Sequence, residues 1–144
     1  MFPSAQDPGQ LCWIDLAAND AEQARRYYER LFGWSARPQH CNGGVFNRLE
    51  FAGKDVGSLY QLQKKNIARG VPSHWTPYVR VTDADDAARY AERLGGSILA
   101  RPFTVPGFAR VAVVVDPVGA PIGLWQPIDT VVEKSPEKAG GNHG

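Results

Sequence analysis

Fourteen residues of this chain are written nearly twice. "DAEQARRYYERLFG" occupies positions 20–33 and "DADDAARYAERLGG" positions 83–96, and at a shift of 63 nine of the fourteen pairs are identical. A repeat of this kind constrains the fold more than any single motif, because it fixes the unit from which the fold is built. Each copy places apolar or aromatic side chains at i, i+3, i+4 and i+7: Ala24, Tyr27, Tyr28 and Leu31 in the first, Ala87, Tyr90, Ala91 and Leu94 in the second. That spacing makes one stripe of a helix to be buried against a sheet. Asn19 with Glu22 and Thr82 with Asp85 have the spacing of a capping box, and Gly33 and Gly95–Gly96 supply left-handed stops.

The flanks repeat as well. "LCWIDLAA" precedes the first helix and "HWTPYVRV" the second, and both alternate as strands do. Three further strand-like runs follow each helix ("GWSAR", "GVFNRLEF" and "DVGSLYQL"; "GSILARPF", "ARVAVVVD" and "APIGLWQ"), separated by the turn signals "CNGG", "AGKD", "VPGF" and "DPVGA". Each half therefore reads strand, helix, strand, strand, strand. A half of ~60 residues buries too little surface to be secure alone. The predicted fold class is α+β: two βαβββ modules in tandem, their strands forming a curved mixed sheet around a central cavity, with the helices outside. The expected boundaries are one domain over 1–127, modules at about 9–62 and 73–127, a linker at 63–72, and a disordered polar tail at 128–144 that includes His143.

Totals exclude several classes. The net charge of +1 gives no general attraction to nucleic acid or to an anionic membrane. No apolar run approaches the ~20 residues of a membrane span, and the N-terminal residues lack the basic and apolar regions of a secretory signal. Two cysteines, Cys12 and Cys41, make no disulfide framework, so a reduced, cytoplasmic setting is expected.

The doubled βαβββ pattern, the Asp-headed helix ending in "YYERLFGW", the "DPVG" turn, and the phrases "GVPSHWTPYVRVTDADDAA" and "RPFTVPGFARVAVVVDPVGAPIGLWQP" resemble the vicinal-oxygen-chelate superfamily, in particular a bacterial glyoxalase-like subgroup. The superfamily includes glyoxalase I, extradiol dioxygenases, fosfomycin-resistance enzymes and bleomycin-binding proteins, and the resemblance covers roughly residues 9–127. It implies metal ligands at four places: in the first strand of each half, seven residues before the helix-heading Asp, and in the last strand of each half. Those places fall on Trp13, Thr76, Gly57 and Gly123. None supplies imidazole, carboxylate or thiolate, and His74, two residues before Thr76, would be one ligand of four. No catalytic metal and no cofactor is expected.

Strand alternation then sorts the side chains. With Trp13 and Thr76 inward, Asp15, His74, Tyr78 and Arg80 also face the cavity, joined by Phe46, Arg48, Glu50, Gly57, Leu59, Gly123 and Trp125. Cys12, Ile14, Leu16, Trp75, Val79 and Val81 face the helices. The inward glycines are expected to leave volume, and the tryptophans to supply a flat face, which suits a planar ligand. Asp15, Glu50, His74 and Tyr78 are the candidate acid–base groups, with Arg48 or Arg80 to hold an oxyanion. Trp13, Phe46, Arg48, Gly57, Leu59, Thr76, Arg80, Gly123 and Trp125 are the candidate ligand contacts. Arg110 is left open between cavity and sheet edge, Cys41 with His40 is read as a turn rather than a nucleophile pair, and Asp116 as a turn former. The expected function is metal-independent binding of a hydrophobic or aromatic small molecule, for sequestration, resistance or carriage. The alternative is a metal-independent isomerase, lyase or cyclase, and a metal-dependent lyase or dioxygenase ranks third. A homodimer is expected.

Overall fold

The computed structural model describes residues 7–41 and 44–128, without the side chain of Cys41. The expected tail, with His143, and residues 42–43 of the "QHCNGG" turn lie outside the described residues. The elements are β1 (Leu11–Ala18), α1 (Ala21–Phe32), β2 (Ser35–Cys41), β3 (Gly44–Phe51), β4 (Lys54–Gln61), α2 (Lys64–Ala68), β5 (His74–Arg80), α3 (Ala84–Arg93), β6 (Ser97–Val105), β7 (Ala109–Val115) and β8 (Pro121–Pro127). The eight strands form one mixed sheet in the order β2-β3-β4-β1-β5-β8-β7-β6. The two βαβββ halves meet where β1 pairs antiparallel with β5, in the register Trp13–Tyr78, Ile14–Pro77, Asp15–Thr76, Leu16–Trp75 and Ala17–His74. On either side of this seam a first strand lies parallel to the last strand of its own half, β1 with β4 and β5 with β8.

The halves are alike down to their caps. Asp20 and Asp83, not Asn19 and Thr82, are the N-caps, and their carboxylates accept from the N–H groups of Gln23 and Asp86. The helices begin one residue later than the capping-box spacing predicts. In each half the first helical N–H donates to a glutamine at the end of the last strand, Ala21 to Gln61 and Ala84 to Gln126, both at 2.9 Å. Gly33 ends α1 in the left-handed conformation, φ 77°.

Each helix covers its own cluster. Under α1 lie Leu16, Ala18, Leu49, Val56 and Leu59, with Ala24, Tyr28, Trp34 and Trp75 packed against them. Ala88 of α3 packs in one cluster with Ala112, Val114 and Leu124 of the sheet beneath it. The predicted stripes are buried only on one side. Tyr27 and Leu31, and their repeats Tyr90 and Leu94, are all more than half exposed, because alanines bring each helix onto the sheet along a narrow line. The segment read as an unpatterned linker contains α2, too short for periodicity to show.

Leu59 corrects the cavity list. It is fully buried in the helix-side cluster, and Gly57, paired with core residue Leu49, lies on that same side. The register between β3 and β4 shifts between Leu49–Gly57 and Glu50–Asp55, so Val56 is an extra residue that reverses the alternation. The two capping glutamines give the true correspondence, an offset of 65, under which Ser58 rather than Gly57 matches Gly123.

Neither glycine leaves a void. A Cβ on Gly57 would stand 2.2 Å from the carbonyl oxygen of Ile14, and one on Gly123 would stand 2.2 Å from the ring of Tyr78. These positions allow close approach, of backbone in one case and of a phenol ring in the other. Gly57→Ala is therefore expected to lower unfolding free energy by about 3 kcal/mol or more, since backbone cannot step aside. Urea denaturation checks this, and a loss under 1 kcal/mol would contradict the close packing of β1 on β4.

Candidate functional site

The middle of the inner face is built on the β1–β5 seam. Trp13 and Trp125 stack with centroids 4.9 Å apart and planes inclined at 27°. Tyr78 meets Trp125 edge-on at 6.0 Å, its ring lying where a side chain at position 123 would be. The two indoles are thus stacked on each other rather than standing apart around open space. Val111, paired with Trp125, continues this surface onto β7.

Beside the aromatic cluster is a polar one. The Trp13 Nε1–H donates to Ser58 Oγ at 2.9 Å, and the Ser58 hydroxyl donates to Asp15 Oδ1 at 2.6 Å. Asp15 lies opposite buried Thr76. Removal from water pushes the Asp15 carboxyl from its ordinary 3.8 up to about 6, against the opposing effects of the Ser58 hydrogen bond and the positive charge of nearby His74. The phenols of Tyr78 and Tyr60 are both raised, first by burial and then by the Asp15 charge, so both stay protonated at neutral pH. The His74 Nδ1 lies 2.8 Å from the carbonyl of Pro72. A carbonyl can only accept, so Nδ1 carries a proton and donates it to Pro72. Asp15, His74 and Tyr78 are thereby brought together.

Glu50 is not brought to them. It stands on β3, two strands from β1, and is held by Arg37 at 3.1 Å and Arg48 at 3.7 Å. Arg48 is itself engaged, donating to Asp55 at 2.7 Å and to Gln39 at 3.1 Å. Its guanidinium lies 5.5 Å from the ring of Phe108, which also meets Phe46 edge-on at 5.7 Å. Phe108 belongs to the turn between β6 and β7, so the two halves touch across the open side of the sheet as well as along the seam. Arg80 lies on the inner face beside Trp125.

Other groups fall outside this site. Arg110 faces α3 and forms a two-pronged pair with Asp85, at 2.6 and 3.0 Å. Asp116 accepts from the N–H groups of Val118 and Ala120 and is a turn former. Cys12 is a half-buried free thiol pushed up to about 11, chiefly by burial. Sequence reasoning missed Ser58, Tyr60 and Phe108. Ser58 was hidden by the Val56 bulge, and Phe108 by lying in a turn, where alternation says nothing.

The four places at which relatives' metal ligands are implied hold, in the observed register, Trp13, Ser58, Thr76 and Gly123. Two hydroxyls, an indole and bare backbone do not fit a divalent metal. Among the described residues no group of three or more His, Cys, Asp or Glu side chains is placed to hold one. No described helix is long and apolar enough to cross a membrane.

Comparison with known proteins agrees with this architecture. Residues 10–124 match the model of the Glyoxalase/Bleomycin resistance protein/Dioxygenase superfamily, and the chain belongs to that family. Among its relatives, the anthracycline biosynthesis protein DnrV of Streptomyces peucetius is 32% identical over 130 residues, 83% of this chain and 47% of that protein. The chain spans less than half the length of the curated relatives it matches. Methylmalonyl-CoA epimerase from Mycobacterium tuberculosis superposes with a TM-score of 0.63 at 17% identity, covering 87% of this chain and 91% of that one. A variant of the Streptomyces coelicolor epimerase, in complex with 2-nitronate-propionyl-CoA, gives 0.62 at 16% identity, covering 84% and 96%. At these identities the likeness is one of fold.

The raised Asp15 carboxyl has a signed consequence for stability. Its folded value lies above its unfolded one, so the cost of keeping it charged is absent below pH 4 and complete well above pH 6. A shift of about two units corresponds to ~3 kcal/mol. Asp15→Asn is expected to gain up to that amount over the wild type at pH 7.5 and little at pH 4, where other titrations cancel in the difference. Paired urea curves at the two pH values measure it, and an equal difference at both would show that Asp15 is not perturbed.

Proposed function

We propose that this chain binds a planar, largely apolar small molecule on the inner face of its sheet, without a metal ion, in a sequestering, resistance or carrier role. The observation that carries this reading is the Trp13–Trp125–Tyr78 aromatic surface at the seam, bordered by a hydrogen-bonded, partly desolvated carboxyl. Aromatic faces supply contact area at little entropic cost, and a few polar groups at the edge orient the guest. The donor chemistry at Trp13, Ser58, Thr76 and Gly123 supports a metal-independent site. The name of the Streptomyces peucetius relative refers to anthracycline biosynthesis, which supports a natural-product ligand. The reading includes a cytoplasmic homodimer with no nucleic-acid or membrane partner.

A second reading, an acid–base isomerase, lyase or cyclase, is favoured by one observation: Asp15 is poised near 6 beside phenols that keep their protons. Above pH 6 its carboxylate would take a proton from carbon or oxygen while Tyr78 or His74 supplies one, giving activity that rises through about pH 6. Asp15→Asn would then abolish turnover and leave binding intact.

Calorimetry with two neutral aromatic probes, 2-naphthol and emodin, tests the binding reading. At least one is expected to bind, to keep its affinity after exhaustive dialysis against EDTA, and to lose about tenfold or more in Trp125→Ala, given the worth of aromatic stacking plus lost area. Circular dichroism shows whether that variant is folded. Absence of binding by both probes, or binding that vanishes with EDTA and returns with a divalent metal, would overturn the reading.

A further inference from the structure

The inner face carries two arginines from the heart of the sheet, and they differ in one respect. Arg48 is saturated by Asp55, Glu50 and Gln39. Arg80 is partly buried, and among the described residues its guanidinium has neither an ion pair nor a hydrogen-bond partner. Its backbone is pinned on both sides, the N–H donating to the Gln10 carbonyl and the carbonyl accepting from the Gly9 N–H, each at 2.8 Å. The group that senses its charge is the Cys12 thiol, which burial keeps neutral, so it offers no counter-charge. A partly buried arginine with its backbone held on both sides, and with no carboxylate beside it among the described residues, leaves strong donors unused.

The place of Arg80 on the inner face gives these donors a setting. Along the seam the inner face reads, in order, Arg80 beside Trp125, then Tyr78 beside Trp13, then Thr76 beside Asp15. Arg80 lies four positions beyond Thr76 on β5, about 13 Å away at the ordinary rise of a strand. A cation thus stands at one end of an aromatic surface and a carboxyl–imidazole cluster at the other.

We propose that the ligand is an aromatic acid, its ring system lying on the Trp125–Tyr78 surface and its carboxylate or other planar anion held by Arg80. The inference rests on the binding reading above and adds the charge of the guest and the residue that selects it. A planar anion suits the fork of a guanidinium, and the ring directs that anion to one end of the surface.

The test uses benzoate, 2-naphthoate and anthracene-2-carboxylate, each paired with its neutral carboxamide, in calorimetric titrations at pH 7.5 and low salt. At least one acid is expected to bind about tenfold or more tighter than its amide, as charge-assisted hydrogen bonds imply. That preference should disappear in Arg80→Gln and survive in Arg101→Gln, an exposed arginine of β6. Acids and amides binding equally to the wild type, or a preference that survives Arg80→Gln, would overturn the role of Arg80 while leaving the binding reading intact. Failure of every acid and amide to bind the wild type would overturn both.

Discussion

The antiparallel pairing of β1 with β5 is the contact on which the rest depends. Neither half has a seam of its own, and only when the two first strands lie side by side do Trp13 and Tyr78, or Asp15 and Thr76, become neighbours. The pairing is self-complementary in kind, since the same strand of each repeat supplies each side. It also puts the two parallel ladders, β1 with β4 and β5 with β8, symmetrically about the centre. Ser58 and Gly123 thereby reach equivalent places. The one carries a hydroxyl that bridges Trp13 to Asp15, and the other carries nothing and admits the ring of Tyr78.

The inner face is therefore asymmetric although the scaffold is a repeat. The first half contributes a carboxyl at position 15 where the second contributes a phenol at 78, and the second contributes an indole at 125 where the first has Tyr60. Duplicated backbones with divergent inward residues yield one site with two unlike ends. Burial and charge act together there: the strands that remove water from Asp15 raise its carboxyl, and that charge in turn raises the phenols beside it. The superfamily scaffold supports this because its helices and their alanine-lined contacts lie on the other face of the sheet, leaving inward positions free to change.

Much of the fold was legible because it was written twice. The repeat of Asp20–Gly33 in Asp83–Gly96 located both helices, and the alternation in "LCWIDLAA" and "HWTPYVRV" placed Trp13, Asp15, His74, Thr76 and Tyr78 on one face. Leu59 and Gly57 were misplaced because a single extra residue, Val56, reverses every side chain beyond it, and a bulge leaves no periodic trace. The expected volume at Gly57 and Gly123 was absent because a glycine records only that something comes close, not whether it is solvent, a carbonyl or a phenol.

The amino-acid sequence by itself determined the unit, its duplication, the two helices and their glycine stops, and the inward set on the two first strands. These follow from short-range periodicity and from local backbone preference, which neighbouring residues carry among themselves. Only the tertiary structure decided that Trp13 and Trp125 stack on each other, that Ser58 joins an indole to a carboxyl, and that among the described residues Arg48 is paired while Arg80 is not. Those outcomes depend on which strands lie side by side and in which register, and residues dozens of positions apart cannot state that until the two halves have closed together.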